Sequence, residues 1–206
     1  YLKNGRTNIA LYEAQKMLKE AQEEDDKTGL SRCYNIMSQI YTVKRLDSMA
    51  FEWQLKEIEL TEKYDLENYN ISQTYSQISS YYINTNQPEK ALEALKKADA
   101  TAYSPTQKIS VQLEYVNYYS KFGDMQAAEK ILNECKTAFD QNKRLWSIKK
   151  RLYNIEYVYY LQSKQYPKAL EAAKKQEAEE LNLSESIQNS VHYLTKGKIY
   201  SNMGNM

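Results

Sequence analysis

The chain has 206 residues, with 28 Lys+Arg against 27 Asp+Glu and a net charge of +1. That balance gives no general pull toward nucleic acid or an anionic membrane, and no apolar run approaches the roughly 18–20 residues that span a bilayer. Five Gly and three Pro are too few for the many turns of an all-β chain.

In chain order, the apolar spacing predicts helices near 7–24, 30–43, 47–63, 67–84, 88–100, 106–121, 125–141, 144–163, 167–180 and 184–203. They alternate between two kinds. The kind ending near 43, 84, 121, 163 and 203 carries a tyrosine close to its C-terminus. The kind that follows opens on an alanine nine residues after that tyrosine: Tyr1 and Ala10, Tyr41 and Ala50, Tyr82 and Ala91, Tyr119 and Ala128, Tyr160 and Ala169. Tyr200 begins the same pattern again. The Tyr-to-Tyr steps are 40, 41, 37, 41 and 40, the signature of a repeat array.

The helix that carries the Tyr, here the first helix of each pair, shows a stripe seven and four residues earlier. Tyr34, Tyr75, Gln112, Tyr153 and Tyr193 stand at the first offset, and Met37, Ile78, Tyr115, Glu156 and Lys196 at the second. These offsets share one helical face. Glu156 and Lys196 break its apolar character, which predicts looser packing in those two repeats. The second helix carries its own stripe, with Leu11, Phe51, Leu92, Glu129 and Leu170 beside the Ala and Ala14, Trp53, Leu95, Leu132 and Ala173 a turn further on.

Between the two kinds of helix, four residues after the Tyr, stand Gly5, Arg45, Asn86, Gly123, Lys164 and Gly204. Gly and Asn at this point predict a left-handed residue closing the first helix. Pro88 and Pro167 fall at the start of second helices, where a missing N–H costs nothing. Gly197, three residues before Tyr200, predicts a close helix approach. Gly29 and the run Glu23 to Thr28 predict a linker.

The Tyr–Ala pairs, the turns Gly123-Asp124 and Gly204-Asn205, and the run Gly197-Lys198-Ile199-Tyr200 resemble the tetratricopeptide repeat (TPR) family over the whole chain, with a period longer than the usual 34 residues. The resemblance implies an all-α fold, an α-α superhelix or solenoid of antiparallel helix pairs. It implies a single array over 1–206, with registers near 1–29, 30–66, 67–104, 105–143, 144–183 and 184–206. Opening and closing inside a repeat, the array is expected to continue at both ends of the natural chain. An unpaired last helix leaves room for a homodimer.

No catalytic constellation is visible. His192 is the sole histidine and reads as structural. A metal site would want several His or Cys at ligand spacing, and no cofactor motif occurs. Cys33 and Cys135 read as small buried hydrophobes. The acidic runs Glu23-Glu24-Asp25-Asp26 and Glu177 to Glu180 read as solvated helix ends. The basic cluster Lys143, Arg144, Lys149, Lys150 and Arg151 reads as a solvated corner, or as contact with an acidic partner or lipid headgroups.

In the family the first helices form the inner, concave face. The resemblance places Arg32, Asn35, Gln39, Gln73, Ser76, Ser80, Asn117, Lys121, Arg151, Asn154 and Lys198 there, a polar face suited to an extended peptide. The Lys and Asn clamp of the family's chaperone-tail readers is not met, since Ser76, Ser80 and Leu113 stand in its place. The style of the repeats further resembles the sensor region of bacterial two-component histidine kinases and membrane-anchored regulators. It implies a non-catalytic protein- or peptide-binding domain, periplasmic or extracytoplasmic. A cytoplasmic peptide-sensing regulator and a general interaction scaffold are the alternatives. The register itself predicts that Ala91→Leu, by overpacking a helix crossing, destabilises more than Ala102→Leu in a thermal melt.

Overall fold

The computed structural model describes residues 6–180 and 185–204, all of it helix and connecting turn. Gly5 and the Tyr1 ring lie outside the described residues, as do the side chains of His192 and Tyr193. The chain divides into two compact units, 1–101 and 102–206. The first holds α1 (Thr7–Glu23), α2 (Lys27–Val43), α3 (Asp47–Tyr64), α4 (Ile71–Asn84) and α5 (Pro88–Thr101). The second holds α6 (Pro105–Phe122), α7 (Met125–Gln141), a 3-10 segment (Lys143–Ile148), α8 (Lys149–Gln162), α9 (Tyr166–Glu180) and α10 (Glu185–Gly204). Each first helix packs most extensively on the second helix that follows it: α2 on α3, α4 on α5, α6 on α7, α8 on α9.

The predicted left-handed residue closes the first helices. Arg45, Asn86 and Lys164 have φ of 60°, 59° and 58°, and Gly123 has 99°. The following N–H then reaches back five residues, from Leu46 to the Tyr41 carbonyl at 3.0 Å, from Gln87 to Tyr82 at 2.9 Å and from Gln165 to Tyr160 at 2.8 Å. This is the Schellman arrangement, and the acceptor is in each case the repeat tyrosine. At Gly123 a single bond from its own N–H to Tyr119 O, at 3.0 Å, does the same work. The repeat Tyr thus marks the turn through its backbone as much as through its ring.

Two second helices, α1 and α3, close by the same device where the sequence suggested only linkers. Asp25 and Asp65 are left-handed, with φ of 54° and 49°, and Asp26 N–H returns to Ala21 O at 3.0 Å. Asp26 then caps α2, its carboxylate accepting from Gly29 N at 2.9 Å. The expected linker from Glu23 to Thr28 is therefore a three-residue turn, and Gly29 lies in the first turn of α2. A Cβ on Gly29 would meet the Asp26 carboxylate oxygen at 2.3 Å. Ser104 and Gln107 form a capping box on α6, and Asp124 caps α7. Pro88 opens α5, and Pro167 is the second residue of α9.

The alanine register holds: Ala50 is 4 % exposed, and Ala91, Ala128 and Ala169 are fully buried. Their Tyr partners Tyr41, Tyr82, Tyr119 and Tyr160 are half-buried, and Tyr200 is exposed. Truncating them therefore costs less than the roughly 3–5 kcal/mol of a core aromatic. Small hydroxyls complete the crossings. Ser72 and Ser79 of α4 donate to the carbonyls of Ala98 and Ala91 of α5 at 2.8 and 3.0 Å.

Three expectations are corrected. Gly197 is exposed and a Cβ there would meet nothing within 4 Å, so it marks no close approach. Glu156 and Lys196 do not loosen their repeats. Buried Glu156 receives Lys136 Nζ at 2.8 Å, and Lys196 meets Glu177 at 2.5 Å. Ala102 is itself buried, so it cannot serve as the tolerant comparison for Ala91. Ala100, exposed on α5 with Ala91, can. Ala91→Leu should cost about 1–3 kcal/mol and Ala100→Leu within about 0.5 kcal/mol of nothing. Equal thermal midpoints would refute the register.

A polar pocket over a buried carboxylate

Polar residues on the stripe of α3 that begins at Ala50 build the most distinctive feature of the first unit. Gln54, Glu57 and Thr61 follow at helical spacing and are all buried. Spacings of three and four residues put them on the face that α2 and α4 cover. A buried carboxylate is costly unless its oxygens are satisfied. Glu57 meets that demand with neutral donors alone. Asn35 of α2 donates its amide to both oxygens at 3.2 and 3.0 Å, Asn68 donates at 2.8 Å, and Thr74 of α4 at 3.1 Å. One carboxylate thereby ties together α2, α3, α4 and the loop between α3 and α4. Burial pushes its pKa above the ordinary carboxylate range, against the opposing pull of its hydrogen bonds from Asn68, Asn35 and Thr74.

The other two buried glutamates, Glu114 and Glu156, solve the same problem with a cation. Arg151 reaches Glu114 at 2.8 Å, with Asn117 adding a 2.9 Å bond, and Lys136 holds Glu156. Among the described residues, no cation pairs with Glu57.

Above Glu57 opens a cavity of about 490 Å³. Thr28, Ser31, Arg32, Asn35 and Ile36 from α2 form one wall, and Leu66, Glu67, Asn68, Tyr69 and Asn70 the other. Asn68 ties down the second wall: its amide reaches Glu57, and its carbonyl oxygen accepts from Asn70 N at 2.9 Å. The floor is therefore committed internally. The rim is exposed, at Arg32, Thr28, Glu67, Tyr69 and Asn70, with Tyr69 at 67 %. Arg32 forms no hydrogen bond or ion pair among the described residues.

Of the eleven residues that the resemblance assigned to a binding face, Arg32 and Asn35 line this cavity. Asn35 is committed to Glu57, and its carbonyl oxygen accepts from Gln39 Nε2 at 2.6 Å. Gln73 is exposed on α4. Ser76 is buried and donates to the Ser72 carbonyl at 3.0 Å, so its hydroxyl cannot line an open face. Ser80 is half-buried. In the second unit, Asn117 and Arg151 turn to Glu114, while Lys121, Asn154 and Lys198 are exposed. Sequence reasoning missed Glu57 and Asn68. The available signal was the polar run Gln54, Glu57, Thr61 on a stripe that should have been apolar.

The arrangement offers little chemistry. The Glu57 oxygens are saturated and no second titratable group joins it on the floor. Among the described residues no cluster of His, Cys, Asp or Glu could hold a metal ion. Both thiols are buried and free. Burial raises Cys33, and it pushes Cys135 up to about 12, which leaves neither a useful thiolate at neutral pH.

A pH dependence follows from Glu57. Its pKa is raised in the folded state, so its contribution to stability is full below the unfolded value near about 4.3. It is lost as pH rises through the folded value. Glu57→Gln should therefore gain stability relative to the parent chain across that rise, measured as the difference in urea midpoint from acid to neutral pH. A difference independent of pH would refute the assignment.

Comparison with known proteins fits a fold built for contact. The BtubC (BKLC) structure from P. vanneervenii aligns with a TM-score of 0.58 over 97 % of this chain and 85 % of that one, at 14 % identity. That likeness is one of fold. No curated protein matches. The family model described as 26S proteasome subunit RPN7 matches residues 42–180, well over half the sequence. This chain belongs to the family described by the 26S proteasome subunit RPN7.

Proposed function

We propose that this chain is a non-catalytic docking module, a helical-repeat scaffold that holds a protein or peptide segment in the pocket between α2 and the α3–α4 loop. The observation that carries the reading is the contrast between floor and rim. Glu57, Asn35 and Asn68 fix the floor among themselves, while Arg32, Tyr69 and Asn70 stand exposed above it. A rigid polar cleft with an exposed aromatic suits an extended segment that brings its own backbone hydrogen bonds. The matching family model is named for a subunit of a larger particle, which supports assembly over chemistry.

The repeat array of tetratricopeptide type remains our description of the helix pairs, since the Tyr–Ala register and the left-handed turns recur along it. The bacterial two-component sensor rests on the style of the repeats alone, as does an extracytoplasmic location, and neither comparison speaks for it. The scaffold therefore stands first, ahead of the sensor and the cytoplasmic peptide-sensing regulator.

Selection of a random peptide library against the full chain tests the proposal. The enriched peptides should bind about tenfold or more weakly to the Arg32→Glu, Tyr69→Ala double variant, whose exposed positions leave the melting temperature unchanged. Equal binding by parent and variant would overturn the pocket as the docking site.

A further inference from the structure

We propose that the 3-10 segment and the first turn of α8 form a second docking surface, one that receives an acidic protein segment with Trp146 as its anchor. Residues 141–155 hold five cations, Lys143, Arg144, Lys149, Lys150 and Arg151, and no acid. Arg151 reaches buried Glu114 at 2.8 Å. Arg144 and Lys150 are exposed.

The segment is braced. Asn142 caps it, its side-chain oxygen accepting from Arg144 N at 3.0 Å. Leu145 is 2 % exposed and packs in the same core cluster as Leu132, Phe139 and Leu152. With Leu145 fixed inward, its neighbour Trp146 is turned outward and stands 59 % exposed. Lys149 Nζ lies 5.7 Å from the Trp146 ring and 5.6 Å from the Tyr153 ring, which sets positive charge beside the indole rather than burying it.

The connections that precede α4, α6 and α8 each present an exposed aromatic: Tyr69, Tyr103 and Trp146. Only the third lies in a run of cations without an acid, and only there is the ring Trp. Trp and Arg are the side chains most enriched among residues that dominate interface energetics. A solvated corner needs the cations but not an indole held out by a buried leucine. Complementarity of charge selects an acidic partner, whose carboxylates meet Arg144 and Lys150 while its apolar side chains cover the indole.

The test uses the full chain carrying Trp53→Phe, so that Trp146 alone reports by fluorescence. The probe is a short peptide of Asp and Glu interrupted by two leucines. Binding should shift the Trp146 emission to the blue and weaken steeply with added salt. Followed by calorimetric titration, which needs no tryptophan, it should fall about tenfold or more in Trp146→Ala and in Arg144→Glu, Lys150→Glu. Arg32→Glu, Tyr69→Ala should leave it unchanged, which separates this surface from the pocket. Absence of binding, or equal binding by Trp146→Ala, would overturn the proposal. So would tighter binding to phosphatidylserine vesicles or duplex DNA than to the peptide, since the cations would then serve a lipid or nucleic-acid surface.

Discussion

The constraint that governs this fold is the reversal of direction at the end of each first helix. A helix cannot turn back within two residues unless one of them leaves the right-handed region, and for a residue with a Cβ that costs about 1–2 kcal/mol. The chain accepts the cost at Arg45, Asn86 and Lys164 because the same turn satisfies carbonyls that would otherwise be left without a partner. One of those carbonyls belongs to the repeat tyrosine. The next helix starts a fixed distance on, so the residue nine positions after the Tyr always meets the first helix from the same side. Alanine is what fits there, and the burial of Ala91, Ala128 and Ala169 follows from the turn.

Close crossings leave little volume for large side chains, so the interior is unusually polar. Serine hydroxyls bond to carbonyls across α4 and α5, and among the described residues three glutamates lie buried. Each removes a charge from water and must be compensated locally. Glu114 and Glu156 use a cation from a neighbouring helix, which neutralises the site and closes it. Glu57 uses amides and a hydroxyl. These hold its geometry but leave the charge in place, and Asn68 can reach it only because the α3–α4 loop is drawn inward. The cavity beside the loop is a consequence of that choice of partners.

Most of the helix pairing was legible in the sequence because it is written locally. The Tyr–Ala spacing, the turn residue and the prolines each act within about ten residues, and the helix limits follow them closely. What escaped was written across helices. Nothing near Glu57 says that Asn35, twenty-two residues earlier, donates to it, and Glu156 looked like a flaw until Lys136 was found above it. Gly29 and Gly197 misled in a different way. Glycine is permissive rather than prescriptive, so its presence alone does not separate a close approach from a helix start or an open surface. A family's face assigns direction but not whether a side chain is already engaged, as Asn35, Asn117 and Arg151 are.

The packing that holds the helix pairs together also engages the buried carboxylates. A catalytic acid or base needs a titratable group with a free valence facing a substrate. Here each buried carboxylate is engaged by a neighbouring helix, and both thiols are buried in the core. Large aromatic side chains stand exposed in the connections between helix pairs, where the backbone turns and cannot bury them. Those connections hold Tyr69 beside Arg32 in one unit and Trp146 among cations in the other. A chain that repeats one pair of helices can vary its connections without disturbing the register of the turns. Side chains there can therefore change at small cost to stability.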